Sequence, residues 1–263
     1  MILQDLFNLE GKTAIVTGGA GYLGTAISEA LAEAGADVVI ASRNLENCKQ
    51  LSESISKTYG VHCEGVSLDV MNSTSVTDCL KKVMKKHHSI DILVNNAFFG
   101  ASGQIDTMSE EDWNKGIEGT INGVFKCVKA VVPYMIMQKG GSIINISSMY
   151  GVVSPNPEIY ENKKFNNPPN YGAGKAAIIQ FTRYIACYYG MAGIRANSIS
   201  PGPFPNQEVQ QDKSFIEHLN KKNPLGRIGK PSDLKGITVL LASEASSYIT
   251  GQNICIDGGW TSW

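Results

Sequence analysis

Residues 13–34 read TAIVTGGAGYLGTAISEALAEA, and this stretch decides the architecture. A short apolar run leads into a glycine-rich turn, after which apolar side chains recur at Ala26, Ile27, Ala30, Leu31 and Ala34. A brief apolar run followed by a 3.6-residue period predicts a strand, a turn and a helix. Gly18, Gly21 and Gly24 punctuate the turn at even intervals. That spacing suits a turn tight enough for its backbone to approach a pyrophosphate. The helix start at Tyr22, Leu23 and Gly24 would offer donors and a favourable dipole to the same group.

The alternation continues along the chain. Residues 37–41 predict a second strand, 45–59 a helix, 62–68 a third strand, 73–87 a helix and 90–94 a fourth strand. This rhythm implies right-handed crossovers and a single α/β domain over residues 1–263. Its core would be a Rossmann-type doubly wound parallel sheet with helices on both faces. Ligands of such sheets lie beyond the carboxyl ends of the strands. Those ends carry Ser42-Arg43-Asn44, Asp69-Val70 and Asn95-Asn96-Ala97. A carboxylate after the second strand would hold both ribose hydroxyls and repel a 2′-phosphate, whereas Arg43 can neutralise and hydrogen-bond that phosphate. The expected cofactor is therefore NADP, with NAD the alternative if Arg43 is an ordinary solvated residue. Asp69, Val70, Asn95 and Ala97 are expected beside it, although Asn and Asp also serve as turn residues.

A second stretch carries the chemistry. Residues 146–177, ISSMYGVVSPNPEIYENKKFNNPPNYGAGKAA, begin where a buried strand over 142–146 is predicted to end, which puts Ser148 at its carboxyl end. Tyr171 and Lys175 stand four apart at the start of a predicted helix, a spacing that brings both side chains to one face. A free tyrosine has a pKa of about 10 and is a poor base near neutrality, but a neighbouring cation lowers that value. Ser148 would hydrogen-bond the oxygen of a carbonyl or alcohol while Tyr171 moves the proton and hydride passes to or from a cofactor. Tyr160 and Lys164 repeat the same spacing earlier in the chain, amid Pro155, Pro157, Pro168 and Pro169. That composition disfavours a helix able to fix the pair, so Tyr171 is the expected acid/base.

A long helix is predicted over 110–137, a strand over 195–199, a helix over 232–243 and a last strand over 253–256. Pro201 and Gly202 follow the 195–199 strand and are expected on the cofactor side. The polar segment beyond them, near 203–222, reads as a lid. The chain has 263 residues, 43% hydrophobic, and a formal net charge of −1, which argues against binding nucleic acid or anionic membrane by bulk charge. No stretch is long and apolar enough to span a bilayer, and the amino terminus has no apolar leader core, so a cytoplasmic location is expected. Six scattered cysteines and four histidines suggest neither a disulfide framework nor a metal site, and no metal is expected.

Together these residues resemble the short-chain dehydrogenase/reductase family in its compact single-domain branch. The resemblance runs through Thr17-Gly18-Gly19-Ala20-Gly21-Tyr22-Leu23-Gly24, Asp69-Val70, Asn95-Asn96-Ala97, Ile146-Ser147-Ser148, Tyr171-x-x-x-Lys175, Ser200-Pro201-Gly202, Arg227-Ile228-Gly229-Lys230-Pro231 and Asp257-Gly258-Gly259. It implies that Ser148 polarises the substrate and that Tyr171 is the acid/base. Lys175 would lower the tyrosine pKa and bind the nicotinamide ribose, and Asp69 and Asn95 would line the adenosine and ribose side. The chain departs from the family pattern at Tyr22, where a middle glycine is usual, and at Phe98, where glycine is usual. Thr120 stands in place of an asparagine that helps hold a relay water, and Asn206 in place of a threonine that meets the carboxamide. The glycine spacing is closer to the extended, sugar-nucleotide-modifying branch.

The interval from Ser148 to Tyr171 is also longer than is usual in the family. The extra residues, near 154–170, enter beside the expected substrate pocket and are rich in Asn, Pro, Glu and Lys. A similar insertion occurs in relatives linked to bacterial surface-sugar or flagellin modification, which points to a sugar, sugar acid or activated sugar as substrate; a surface loop or an oligomer contact is the alternative of equal weight. The expected activity is interconversion of a carbonyl and a secondary alcohol on a small polar or sugar-like molecule. A 3-oxoacyl-thioester reductase, a low-turnover cofactor-binding scaffold and an epimerase or dehydratase using hydride transiently are the alternatives. By resemblance the chain forms a homo-oligomer, a tetramer or dimer, through the aromatic tract 181–189 with Trp260 and Trp263.

Overall fold

Seven strands form one parallel sheet: β1 (Thr13–Thr17), β2 (Asp37–Ser42), β3 (Cys63–Ser67), β4 (Ile92–Asn95), β5 (Gly141–Ile146), β6 (Ile194–Pro201) and β7 (Asn253–Ile256), in the order β3-β2-β1-β4-β5-β6-β7. The computed structural model describes residues 2–160 and 167–263. Between and around the strands lie α1 (Leu3–Phe7), α2 (Tyr22–Glu33), α3 (Leu45–Tyr59), α4 (Ser73–His87), α5 (Glu110–Ile117), α6 (Gly123–Gln138), α7 (Pro169–Tyr189), α8 (Lys213–Lys221) and α9 (Lys235–Ala242). The doubly wound parallel sheet expected from the alternation is the observed one.

Alternate residues of each strand feed two cores, as the period of two dictates. Ile15, Val39, Leu93 and Ile143 pack with Leu80, Val128 and Ile185 from α4, α6 and α7. Val16, Ile40, Val94 and Ile144 pack on the other face with Ile27, Leu31, Ile55 and Leu241 from α2, α3 and α9. Strands covered on both faces become continuous apolar runs, which explains the composition of TAIVT and DVVIAS. The strand order reverses between β2 and β4 on either side of β1, with Thr17 opposite Asn95 at the carboxyl edge. A crevice opens at that switch point.

Three sequence expectations are revised. The helix predicted over 110–137 is broken: α5 gives way to a π-helical turn, Glu118–Asn122, before α6 begins. The turn sits in close packing, since a Cβ at Gly119 would collide with the Phe99 carbonyl oxygen and one at Gly116, just before it, with the Asn170 amide. The predicted polar lid contains a helix, α8, started by the Asp212 carboxylate accepting from Phe215 N–H at 3.1 Å. Phe215 and Leu219 of α8 join Met149, Tyr150, Ile159 and Trp260 in a third buried cluster. Trp260 is therefore an interior side chain at 9% exposure, not an oligomer contact, whereas Trp263 is 79% exposed.

Candidate active site

The switch point positions the glycine turn against the loop after β4. Gly18 has a φ of +63°, and a Cβ there would lie 2.9 Å from Ala97 Cα. A Cβ at Gly24 would collide with the Gly18 carbonyl oxygen, so α2 can start directly beneath the turn only with glycine at both positions. Asn96 closes the junction, donating from Nδ2 to the carbonyls of Thr17 (3.1 Å) and Gly18 (3.0 Å). The N-cap of α2 is Gly21, which brings no capping side chain, so the N–H groups of Tyr22, Leu23 and Gly24 remain available to an anion.

A crevice of about 470 Å³ runs along this edge. Gly18, Gly21, Tyr22, Leu23, Arg43, Asp69, Val70 and Ala97 line it, joined by Asn44, Asn96, Phe98 and Phe99, which the sequence did not single out as cofactor contacts. Arg43 is exposed at the rim with its guanidinium 5.8 Å from the centre of the Phe99 ring. Glycines whose Cβ atoms would fill the turn, an uncapped helix start and a rim arginine fit a phosphorylated dinucleotide.

Six residues expected beside the cofactor, Gly24, Asn95, Tyr171, Lys175, Pro201 and Gly202, do not line this part of the crevice. Asn95 is only 2% exposed, and its Nδ2 donates to Asn145 Oδ1 at 2.8 Å instead of facing the crevice. Asn145 donates on to Thr182 Oγ1 at 2.8 Å, so this chain of side chains ties β4 and β5 to α7. Alternation along the strand end turns Asn95 inward and gives the crevice to its neighbour, Asn96. Pro201 ends β6, and Gly202 is backed against Asp257, where a Cβ would lie 2.5 Å from its Cα; neither lines the crevice.

The structure brings Ser148, Tyr171 and Lys175 together at the carboxyl end of β5. Ser148 Oγ accepts from Tyr150 N–H at 3.1 Å, and its hydroxyl lies near enough to the Tyr171 phenol to affect that group's titration. Lys175 is 4% exposed, and its Nζ donates to the Ile146 carbonyl at 2.8 Å. Phe98 packs edge-on against Tyr171, ring centres 5.0 Å apart at 76°, and its ring lies 5.3 Å from Lys175 Nζ. The Phe98 departure thus roofs Tyr171 and Lys175 and joins them to the crevice.

Burial governs the titration of both groups. Desolvation lowers the Lys175 pKa to about 8. Desolvation also raises Tyr171 above its ordinary value, against the opposing effect of the Ser148 hydroxyl, and the Tyr160 phenol adds to the rise. The expected lowering of Tyr171 by Lys175 is not found. Spacing put the two on one face, but the ammonium is aimed at a strand carbonyl that spacing cannot reveal.

Tyr160, of the earlier Tyr-x-x-x-Lys, ends a 3₁₀ turn, Pro157–Tyr160, and its phenol meets that of Tyr150 at 2.7 Å. Its ring packs 5.9 Å from Phe215 of α8, so the insertion and the lid helix meet above the serine and tyrosine. Lys164, Asn166 and the rest of 161–166 lie outside the described residues. The lid segment also reaches the glycine turn, where Gln210 Nε2 donates to Tyr22 Oη at 3.1 Å. Asn206 accepts from Val209 N–H at 3.0 Å and shapes that segment. Thr120, in the π-turn, is sealed against α7: its hydroxyl donates to Gly116 O at 2.8 Å, and a Cβ on Gly174 would collide with it.

The family described as enoyl-(acyl carrier protein) reductase matches residues 19–261. The chain belongs to the short-chain dehydrogenase/reductase family. It is an NAD(P)-dependent oxidoreductase of the carbonyl/alcohol type. This short-chain dehydrogenase/reductase is 36% identical over 255 residues to the 3-oxoacyl-(acyl-carrier-protein) reductase of Thermotoga maritima, covering 95% of this chain and 98% of the relative. It is 32% identical over 260 residues to gluconate 5-dehydrogenase of Gluconobacter oxydans, covering 98% and 97%. Among solved structures it resembles a gluconate 5-dehydrogenase from Burkholderia cenocepacia in complex with NADP and tartrate. That likeness has a TM-score of 0.89 at 31% identity over the whole of both chains.

Proposed function

We propose that this enzyme is an NADP-preferring oxidoreductase that interconverts a ketone and a secondary alcohol on a small polar or sugar-like molecule. The observation that carries the reading is the packing of Tyr171 and Lys175 against Phe98, which lines the crevice with Arg43 at its outer rim. Bound NADP(H) supplies or accepts the hydride. Ser148 holds the substrate oxygen, and Tyr171 gives it a proton or takes one. Burial keeps the Tyr171 phenol protonated in the cofactor-free chain, which suits it to act as the acid in the reductive direction. Lys175 fixes the start of α7 through Ile146 and presents its charge to the two aromatic rings that roof the site.

The substrate class rests on the paired phenols of Tyr150 and Tyr160, which offer hydrogen bonds to hydroxyls near the reacting centre. A 3-oxoacyl thioester is the second reading, favoured by the apolar cluster of Met149, Ile159, Phe215 and Trp260 alongside it. Initial rates with NADPH on a panel of keto-sugars, keto-acids and 3-oxoacyl thioesters test the choice. Turnover confined to the thioesters would reject the polar-substrate reading.

We also infer that the enzyme is a homo-oligomer, a tetramer or dimer, in the cytoplasm. Support comes from an aromatic ladder on α7, where Tyr184 and Tyr188 are 50% and 68% exposed and stack at 4.8 Å. Among the described residues no helix is long and apolar enough to cross a membrane.

A further inference from the structure

The amino-terminal edge of the sheet, opposite the crevice, gathers side chains that the oxidoreductase chemistry does not use. Asp37 opens β2, His62 immediately precedes β3, and His87 ends α4. One ligating atom from each lies within 4.8 Å of the others. We propose that Asp37, His62 and His87 form a binding site for a divalent transition metal, with zinc the best-matched ion.

The surroundings orient each ligand. The side chain of His87 is 5% exposed, and its Nε2 lies 2.7 Å from a Glu64 carboxylate oxygen. Donation from Nε2 to that carboxylate would leave Nδ1 to face Asp37 Oδ2, 3.9 Å away. A carboxylate behind a ligating imidazole is the arrangement that fixes tautomer and raises basicity in metal centres. Asp37 is set by its other oxygen, which accepts from His62 N–H at 3.1 Å. The His62 ring meets His87 edge-on at 5.2 Å and is exposed, free to swing the remaining distance.

Bond lengths of about 2.0–2.2 Å require ligand atoms about 3.3 Å apart, so the three must close in modestly when an ion enters. Two imidazoles and one carboxylate match zinc, cobalt or nickel better than the oxygen-preferring magnesium or calcium, and water would complete a tetrahedral set. Lys86 Nζ, 2.8 Å from Glu64, balances the orienting carboxylate and leaves the charge of Asp37 for the metal.

The test is a zinc titration of the chelator-stripped full-length protein against a chromophoric chelator at neutral pH. The wild type is expected to hold one zinc per chain and to melt at a higher temperature with it. His62→Ala and His87→Ala should each lose stoichiometric binding, and Glu64→Gln should weaken it by ~10–100-fold through loss of the orienting carboxylate. NADPH binding should be unchanged in all three, because the crevice lies at the other end of the strands, and this serves as the check on folding. If His87→Ala does not fold, His62→Ala, which changes an exposed side chain, still decides. Wild-type zinc affinity equal to that of His62→Ala would overturn the proposal, as would tight zinc binding retained by Glu64→Gln and both histidine variants.

Discussion

Replacing Arg43 by alanine isolates the reading of the cofactor. Arg43 follows β2 at the outer end of the crevice and is held over Phe99 at 5.8 Å, so its guanidinium is positioned without occupying the turn itself. A charge-assisted hydrogen bond to a phosphate contributes about 1.5–3 kcal/mol. The exposure of Arg43 argues for the lower half of that range. Arg43→Ala should therefore raise the Kd for NADPH about tenfold, and at most about 150-fold, while leaving that for NADH nearly unchanged. Screening should narrow the preference further as salt is raised, since the Debye length falls to about 8 Å at physiological ionic strength. Fluorescence titrations of both cofactors, for wild type and variant at two salt concentrations, give the four constants needed. An equal loss of affinity for NADPH and NADH would refute the reasoning, because it would make Arg43 a general support of the crevice and not a reader of the 2′-phosphate.

Lys175→Met should abolish turnover yet stabilise the cofactor-free fold at pH 7. Burial lowers the lysine pKa to about 8, so between pH 8 and its ordinary value the unfolded state binds more protons. This group's penalty is then full below pH 8 and fades as pH rises. Part of the shift, about 2 kcal/mol after losing the bond to Ile146, should appear as a higher Tm at pH 7 and shrink by pH 10; a lower Tm at pH 7 would contradict the sign. Tyr160→Phe, which breaks the phenol pair with Tyr150, should raise KM for a polyhydroxylated substrate about fivefold with cofactor affinity unchanged, consistent with ~1 kcal/mol for one neutral hydrogen bond. Gly24→Ala drives a methyl into the Gly18 carbonyl and should cost about 1–3 kcal/mol together with NADPH affinity, measured by denaturant unfolding and titration; wild-type values for both would show that the turn yields.

Local patterns in the chain were legible because their causes are local. The glycine turn declares itself through the backbone approach it needs, and the strands through burial on both faces. That Ser148, Tyr171 and Lys175 come together was readable from a strand end and a helical spacing. What escaped depends on contacts across the fold. The choice between Asn95 and Asn96 turns on the parity of β4 against Asn145, which a run of two asparagines does not disclose. The direction of Lys175 Nζ depends on the Ile146 carbonyl in a neighbouring strand. The break in the helix lies where Gly116 and Gly119 pack under Asn170 and Phe99, partners distant in sequence. Asp37, His62 and His87 looked scattered because it takes three elements to bring them together. Phe98, legible only as a departure, became meaningful once its ring was seen against Tyr171.

The account stands most directly on Tyr171→Phe, assayed by NADPH titration and single-turnover reduction on one preparation. Loss of the phenolic proton should lower the reduction rate by at least ~100-fold, the scale of general acid catalysis, while NADPH still binds with its wild-type affinity. A Tyr171→Phe enzyme that binds NADPH normally and reduces substrate at close to the wild-type rate would contradict the assignment of Tyr171 as the proton donor.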